Sequence, residues 1–369
     1  MIEKCTYQAE LFSNRLAKKF RALRKWARKN RVSCYRLYDR DIPEIPLAAD
    51  VYEFLPEGIT DKIEAAKFLR EEELRISENI PSVGAEIARR RYLHLFMYER
   101  PFETSEDEEK AWLDAMVHAA AEVLSIEENH VIVKTRKRQK GESQYEKLES
   151  GRKLEALVQE CGQIFRVNLS DYLDTGLFFD HRPLRSIVRE TCAGKSVLNL
   201  FCYTGSFSVY AAEGKARRVE SVDLSNTYLR WAEDNLRLNG FSDTKKLVFT
   251  RGDVTAFLQK KCAEKPTEQN RYDIIILDPP TFSNSKSTQN TLDINRDWPR
   301  LVSDCLNLLS PAGILYFSTN SKRLKFDASL IPEKTKAGAT VTVTDMTQAS
   351  LPEDYKGTKN RRCWKLSLS

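Results

Sequence analysis

Asp278-Pro279-Pro280 closes the apolar run Ile274-Ile275-Ile276-Leu277 and leads into Thr281-Phe282-Ser283-Asn284-Ser285-Lys286. A buried strand that stops in a carboxylate and two prolines sets a stiff acidic corner at a sheet edge, because proline fixes φ and has no N–H to donate. Ligands of open α/β sheets bind at such carboxyl ends. Alone, the tripeptide is equally compatible with a plain turn. Two further acids share its setting: Asp223 ends Val219-Glu220-Ser221-Val222, and Asp253 follows Leu247-Val248-Phe249. An acid ending a second strand can accept both hydroxyls of a ribose, and one after a third strand can accept from an adenine amine. Upstream, Asn199-Leu200-Phe201-Cys202-Tyr203-Thr204-Gly205-Ser206 is a strand-to-helix turn. Its glycine lets a ligand approach the backbone, and the helix N-terminus behind it favours a carboxylate or phosphate. One glycine is too few for a dinucleotide's GxGxxG cradle, and no Gly-Lys-Ser/Thr follows as in a P-loop. The ligand that fits has an amino-acid carboxylate, a ribose and an adenine but no phosphate. That describes S-adenosylmethionine, with S-adenosylhomocysteine as product.

The elements that must position these groups alternate. Strands are expected at 197–201, 219–223, 247–249, 274–278 and 313–318, with helices at 205–212, 227–239 and 298–309 and a short one after Asp253. Alternation of this kind predicts a doubly wound, Rossmann-like α/β fold with a parallel sheet. Residues 340–344 and 363–369 read as two strands with no helix between them, a terminal antiparallel hairpin that brings the sheet to seven strands. The first half differs in texture. Leu11, Phe12, Leu16, Phe20, Leu23 and Trp26 mark a basic amphipathic helix over 6–30. Strands at 34–38, 47–55, 92–99 and 130–135 and helices at 59–91, interrupted near Pro81, and 106–124 then suggest a smaller α+β domain. The expected division is 1–32 for the helix, 33–164 for an auxiliary RNA-binding domain and 165–369 for the cofactor domain.

Bulk properties narrow the class. The chain has 369 residues, 41% of them hydrophobic, enough for more than one core. No run of roughly 18 apolar residues occurs, so no membrane partner is expected. The charged N-terminal stretch lacks the apolar core of a signal peptide. Eight cysteines without a CxxC pair and four histidines exclude an obvious metal site or disulfide framework and fit a reducing cytoplasm. Formal charge is +6, but its distribution says more: 15–40 is crowded with Lys and Arg, and Lys134-Thr135-Arg136-Lys137-Arg138-Gln139-Lys140 is a second basic run. Clustered cations suit RNA or DNA as readily as a solvated helix face. Lys134, Arg136, Lys137, Arg138, Lys140 and Lys286 are the expected phosphate contacts.

Asp174-Thr175-Gly176-Leu177-Phe178-Phe179-Asp180-His181-Arg182, the turn at 199–208 and 278–286 together resemble the bacterial large-subunit rRNA methyltransferases. Within that class I family the resemblance is to the half of the bifunctional 23S rRNA guanine methyltransferases that forms 7-methylguanosine. It extends to Asn14-Arg15-Leu16, Cys34-Tyr35-Arg36-Leu37-Tyr38-Asp39 and Gln144-Tyr145, with a charged insertion near 56–91. It implies that Tyr203, Thr204 and Gly205 hold the methionine end, with Asn199, Phe201 and Ser206 beside them. Asp223 and Leu224 would meet the ribose, Asp253 and Val254 the adenine, and Asp180 and Arg182 would close over the cofactor. Asp278, Pro279, Pro280, Thr281 and Phe282 would lie between methyl group and base. In the bifunctional relatives an N2-guanine methyltransferase precedes this half. Stand-alone and partial forms both stay open, as does a separate N2 methyltransferase as partner.

The base atom can be narrowed by chemistry. Methylating C5 of a pyrimidine needs a cysteine that adds to C6; the related C5 enzymes carry it after the fifth strand, where this chain has Phe317-Ser318-Thr319-Asn320-Ser321-Lys322-Arg323. Cys305, in the preceding helix, reads as core. Amine methylation usually follows Asp/Asn-Pro-Pro-aromatic, but Thr281 holds the aromatic position and Phe282 comes one later. Guanine N7 already carries a lone pair and loses no proton, so alignment and an acid near the developing positive charge suffice. Guanine N7 of 23S rRNA, free or in an assembling large subunit, is therefore the expected target. Guanine N2, cytosine C5 and a non-catalytic RNA-binding module are the alternatives.

Overall fold

The structure, a computed structural model, describes residues 2–98, 105–136, 154–265, 267, 270–283, 292–358 and 361–369. The chain forms two compact units, Met1–Phe179 with Glu353–Tyr355, and Asp180–Pro352 with Lys356–Ser369.

In the first unit, α1 (Ile2–Lys29) buries Phe12, Leu16, Phe20, Leu23 and Ala27, one stripe at spacings of three and four. That stripe joins a core with Tyr35, Leu93 and Met116, so α1 is integral to the unit rather than a separate 1–32 segment. Strands β1 (Cys34–Asp39), β2 (Leu47–Glu53) and β3 (Arg91–Tyr98) pair antiparallel. Between β2 and β3 lie α2 (Lys62–Ser77) and α3 (Pro81–Arg89), begun by a proline in the first turn. Helix α4 (Glu106–Leu124) starts on a Ser105/Glu108 capping box and returns the chain to β4 (Val131–Arg136), parallel to β3. A hairpin of β5 (Glu155–Glu160) and β6 (Gln163–Asn168) follows. The amide of Ser33 donates to Gln159 O at 2.9 Å and that of Leu55 to Leu157 O at 2.8 Å, which ties the hairpin to this unit. The first unit runs to Phe179.

The second unit is a seven-stranded sheet between helices. Helix α5 (Arg182–Thr191), β7 (Ser196–Leu200), α6 (Ser206–Glu213), β8 (Arg218–Asp223), α7 (Asn226–Leu238), β9 (Leu247–Arg251), α8 (Val254–Ala263) and β10 (Tyr272–Leu277) run in alternation. A two-stranded ribbon, β11 (Phe282–Ser283) with β12 (Leu292–Asp293), precedes α9 (Ile294–Leu308) and β13 (Leu309–Thr319). Strands β14 (Val341–Asp345) and β15 (Arg362–Leu368) complete the sheet, in the order β14-β15-β13-β10-β7-β8-β9. β9 to β13 are parallel, and β15 runs antiparallel between β13 and β14. Period-two alternation divides β10 between two cores. Ile275 and Leu277 pack with α8 and α9, including Leu258, Trp298 and Leu301, while Ile274 and Ile276 pack with Leu184 of α5 and Phe207 of α6. No helix among the described residues is long and apolar enough to cross a membrane.

Trp298 is 2% exposed and stacks on Phe326 with ring centroids 5.0 Å apart. Trp298→Ala should cost about 3–5 kcal/mol of unfolding free energy by cavity formation. Urea titration with the midpoint lowered and the slope unchanged is the expected result.

Candidate active site

Sheet order reverses between β7 and β10, the place where open α/β sheets leave a crevice at the carboxyl ends of their strands. Asp223 ends β8, Asp253 follows β9 and Asp278 follows β10, so all three acids stand at that one edge. The β7–α6 turn crosses it with three left-handed residues, Phe201 at φ 54°, Tyr203 at 50° and Gly205 at 73°. Asp223 clamps this turn: its Oδ2 accepts from the Tyr203 amide at 3.0 Å and its Oδ1 from the Ser225 amide at 2.9 Å. Burial raises the Asp223 carboxyl, and the backbone amides oppose that rise. Each oxygen keeps a second lone pair that a ribose hydroxyl can use.

The other predicted cofactor residues divide. A Cβ on Gly205 would lie 2.6 Å from the Cβ of Ala232. The missing side chain therefore lets α7 pack against the turn. Asn199 is 2% exposed and donates to Ser208 Oγ at 2.9 Å, inside the β7–α6 contact. Thr204 is fully buried, and its carbonyl accepts from Asn235 Nδ2 at 2.9 Å. Ser206 Oγ accepts from Arg185 at 3.4 Å, and the Leu224 carbonyl accepts from Arg251 at 3.4 Å. Phe201 and Val254 contribute to the core, and Tyr203 packs edge-on to Tyr228 at 4.6 Å. Asp253 caps α8 through Oδ1, accepting from Ala256 at 2.9 Å, which leaves Oδ2 outside the cap. Arg182 is 3% exposed at the start of α5.

Asp278 is the most elaborately held group. Ser318 Oγ of β13 donates to its Oδ1 at 2.6 Å, and His181 Nε2 lies 3.0 Å from its Oδ2. His181 is 5% exposed, at the N-cap of α5, where Pro183 in the first turn starts the helix. Its Nδ1 is 2.5 Å from Nη1 of Arg361. A guanidinium can only donate, so Nδ1 accepts and the ring proton sits on Nε2, facing Asp278. Arg361 is itself buried, with Nη2 donating to Ser350 O at 2.8 Å and Nε 3.8 Å from Asp180 Oδ2. Burial alone would raise the Asp278 carboxyl. The His181 ring, the Ser318 hydroxyl and the Arg361 charge outweigh it and bring the group down to about 2. Asp278 still presents 29% of its side chain to solvent. Beside it, Pro279 is buried and Pro280 half-buried, Thr281 Oγ1 donates to Asn320 at 2.9 Å, and the Phe282 ring is 48% exposed and so not core.

His181, Ser318 and Arg361 were not singled out from sequence. His181 stands between Asp180 and Arg182, which were, and Ser318 is one of several small polar residues at and after the end of the fifth strand, with nothing local to mark it. Arg361 had no sequence signal. Cys305 is fully buried in α9, and burial pushes the Cys363 thiol up to about 11 and the Cys202 thiol well up. In the first unit Lys134 corrects an expectation: it is 7% exposed, its Nζ donates to the Tyr172 carbonyl, and burial pushes it down to about 8. Inside the fold it cannot meet a phosphate at the surface. Arg136 ends β4, while Lys137, Arg138, Lys140 and Lys286, like Gln144 and Tyr145, lie outside the described residues.

Fold and site together define a class I methyltransferase, and comparison with known proteins agrees. Residues 84–351 match the model of the S-adenosylmethionine-dependent methyltransferases. The chain belongs to that family, whose cofactor is S-adenosylmethionine. It is 41% identical over 355 residues to ribosomal RNA large subunit methyltransferase K of Neisseria meningitidis, covering 96% of this chain and 86% of that protein. It is also 41% identical to ribosomal RNA large subunit methyltransferase K/L of Hahella chejuensis over 100% of this chain, which spans 44% of that longer protein. Among solved structures, SMU.776, a methyltransferase complexed with SAH, superposes with a TM-score of 0.65 over 97% of this chain and 81% of that one. At 21% identity the likeness is one of fold.

Two outcomes are expected. The Asp278 carboxyl ionises below its unfolded value of 3.8, so its stabilisation is complete above that pH and lost as pH falls through about 2. At about 1.36 kcal/mol per unit this amounts to about 2 kcal/mol. His181→Ala should remove most of that acid leg, measured as unfolding free energy against pH from 5 to 2. Gly205→Ala should destabilise by about 1–3 kcal/mol through strain and overpacking. Ala232→Gly in the same chain should restore part of the loss, since it removes the colliding methyl.

Proposed function

We propose that this chain methylates 23S rRNA, free or in an assembling large subunit, at N7 of a guanine. The names of the K and K/L relatives support the substrate, and the chemistry around Asp278 supports the atom. The observation that carries the reading is the pair of donors on the Asp278 carboxylate, Ser318 Oγ at 2.6 Å and His181 Nε2 at 3.0 Å, which hold it ionised and lower its basicity. A carboxylate that weakly basic is poorly suited to pulling a proton from an exocyclic amine. It suits a reaction in which no proton leaves and the base becomes positively charged. The raised, buried thiols of Cys202, Cys305 and Cys363 speak against a cysteine adduct on a pyrimidine.

When bound, S-adenosylmethionine supplies a methyl carbon to which the N7 lone pair bonds as the sulfur–carbon bond breaks and its electrons stay on sulfur. Asp223 would accept the ribose hydroxyls, and the remaining oxygen of Asp253 would accept from the adenine amine. The turn at Tyr203 to Gly205 would hold the methionine end, with Asp180 and Arg182 at its border. Asp278 would face the developing cation without abstracting a proton. Phe282, half exposed on β11, offers an aromatic face for the base. N7 lies on the major-groove edge, which A-form helix hides, so the guanine must be looped or unstacked. A separate N2-guanine methyltransferase acting alongside is compatible with this assignment.

The test is methyl transfer from labelled cofactor to deproteinised rRNA, followed by nucleoside mass spectrometry. 7-Methylguanosine is expected; label on N2, on a pyrimidine carbon or only in protein overturns the assignment. Asp278→Asn should lower kcat by on the order of 100-fold with cofactor affinity little changed. Full activity in that variant would remove Asp278 from the chemistry.

A further inference from the structure

We propose that the solvent face of α1 is an rRNA-docking surface, with Lys18, Arg21, Arg24 and Lys25 meeting phosphates and Tyr7 offering a ring to a base. The proposal rests on the rRNA reading above and adds where the polyanion is held. The core stripe Phe12, Leu16, Phe20, Leu23 and Ala27 fixes the orientation of the helix. The opposite stripe is Tyr7, Asn14, Lys18, Arg21, Lys25 and Arg28, spaced by seven, four, three, four and three residues, with Arg24 and Lys29 flanking it. All of these are exposed, Tyr7 by 61%. At about 1.5 Å per residue the row is about 31 Å long.

Charge pairing separates this face from the rest of the unit. Several cations elsewhere in the unit are paired: Arg75 with Glu86 at 2.7 Å, Arg91 with Glu53 at 2.7 Å, Lys110 with Asp114 at 2.7 Å and Arg36 with Asp50 at 2.7 Å. Arg15, at the margin of α1, pairs with Asp41 at 2.6 Å. Lys18, Arg21, Arg24 and Lys25 take part in no ion pair among the described residues, and the nearest acid on the helix is Glu10, two turns before Lys18. They repel one another at i,i+3 and i,i+4, an arrangement that opposes helix formation. The helix dipole accounts for Arg28 and Lys29 in the last turn, and Arg28 also lends its field to Glu72 and Tyr35. It does not reach Lys18, Arg21 or Arg24. A polyanion laid along the row relieves the repulsion and releases counterions, and an exposed tyrosine in line with it matches the stacking platforms of single-stranded RNA sites.

The test uses the full chain and deproteinised large-subunit rRNA, with binding measured across a salt series. Lys18→Gln, Arg21→Gln, Arg24→Gln and Lys25→Gln together should make the slope of log K against log salt shallower by about 3, with cofactor affinity and the circular dichroism spectrum unchanged. Should the fourfold variant fold poorly, each pair, Lys18/Arg21 or Arg24/Lys25, should take about half of that. Tyr7→Ala should weaken binding about tenfold at every salt concentration and leave the slope alone. A wild-type slope in the charge variants overturns the surface while leaving the substrate reading intact. Failure of the wild-type chain to bind rRNA overturns the substrate reading and this partner with it. Loss of binding to phosphatidylglycerol vesicles with the rRNA slope retained assigns the face to lipid and overturns the proposal.

Discussion

Asp278 has to remain an anion at a place where burial disfavours charge, and much of the second unit is arranged around that requirement. Ser318 reaches it from the end of β13, the strand paired with β10. His181 reaches it from the cap of α5. Arg361, just before β15, sets the imidazole by occupying Nδ1 and so turns the Nε2 proton toward the carboxylate. A carboxyl in hydrocarbon with no such donors would keep its proton. The prolines that follow stop the chain from moving the group away. The corner is therefore both rigid and ionised, the two properties that alignment and charge stabilisation need.

Asp223 shows the same economy in a different form. It is an acid at a strand end, as a ribose partner should be, yet it also holds the backbone of the β7–α6 turn through Tyr203 and Ser225. Its two oxygens thus join the turn to the neighbouring strand before any ligand arrives. Gly205 completes that turn for a packing reason, the close approach of Ala232. In both cases a residue proposed to bind the cofactor is also part of the local architecture, and substitution at either place would alter the frame.

Much of the second unit was legible from sequence. Short apolar runs ending in acids, alternating with helical periodicity, led to a parallel sheet, its terminal antiparallel pair and the edge where Asp223, Asp253 and Asp278 stand. The first unit was legible in its elements. Residues 155–168 carry polar and apolar side chains in a pattern too short to declare a hairpin, and bonds such as those from Ser33 and Leu55 attach it to the earlier strands. Lys134, at the head of the basic run on β4, misled for a related reason. Composition counts Lys134 among surface cations, whereas its place on β4 turns it inward toward Tyr172.

By itself, the sequence determined the chemistry on offer: which acids end which strands, where the chain must turn, and which helix is apolar on one side and cationic on the other. These depend on residue type and local spacing, which a linear text contains. The tertiary structure decided which of those groups work together. His181, Ser318 and Arg361 are 97, 40 and 83 residues from Asp278 along the chain and meet it only because α5, β13 and the approach to β15 converge on one sheet edge. Whether a lysine faces water or a carbonyl, and whether a carboxyl is lifted or lowered by its surroundings, depends on neighbours that sequence distance does not specify.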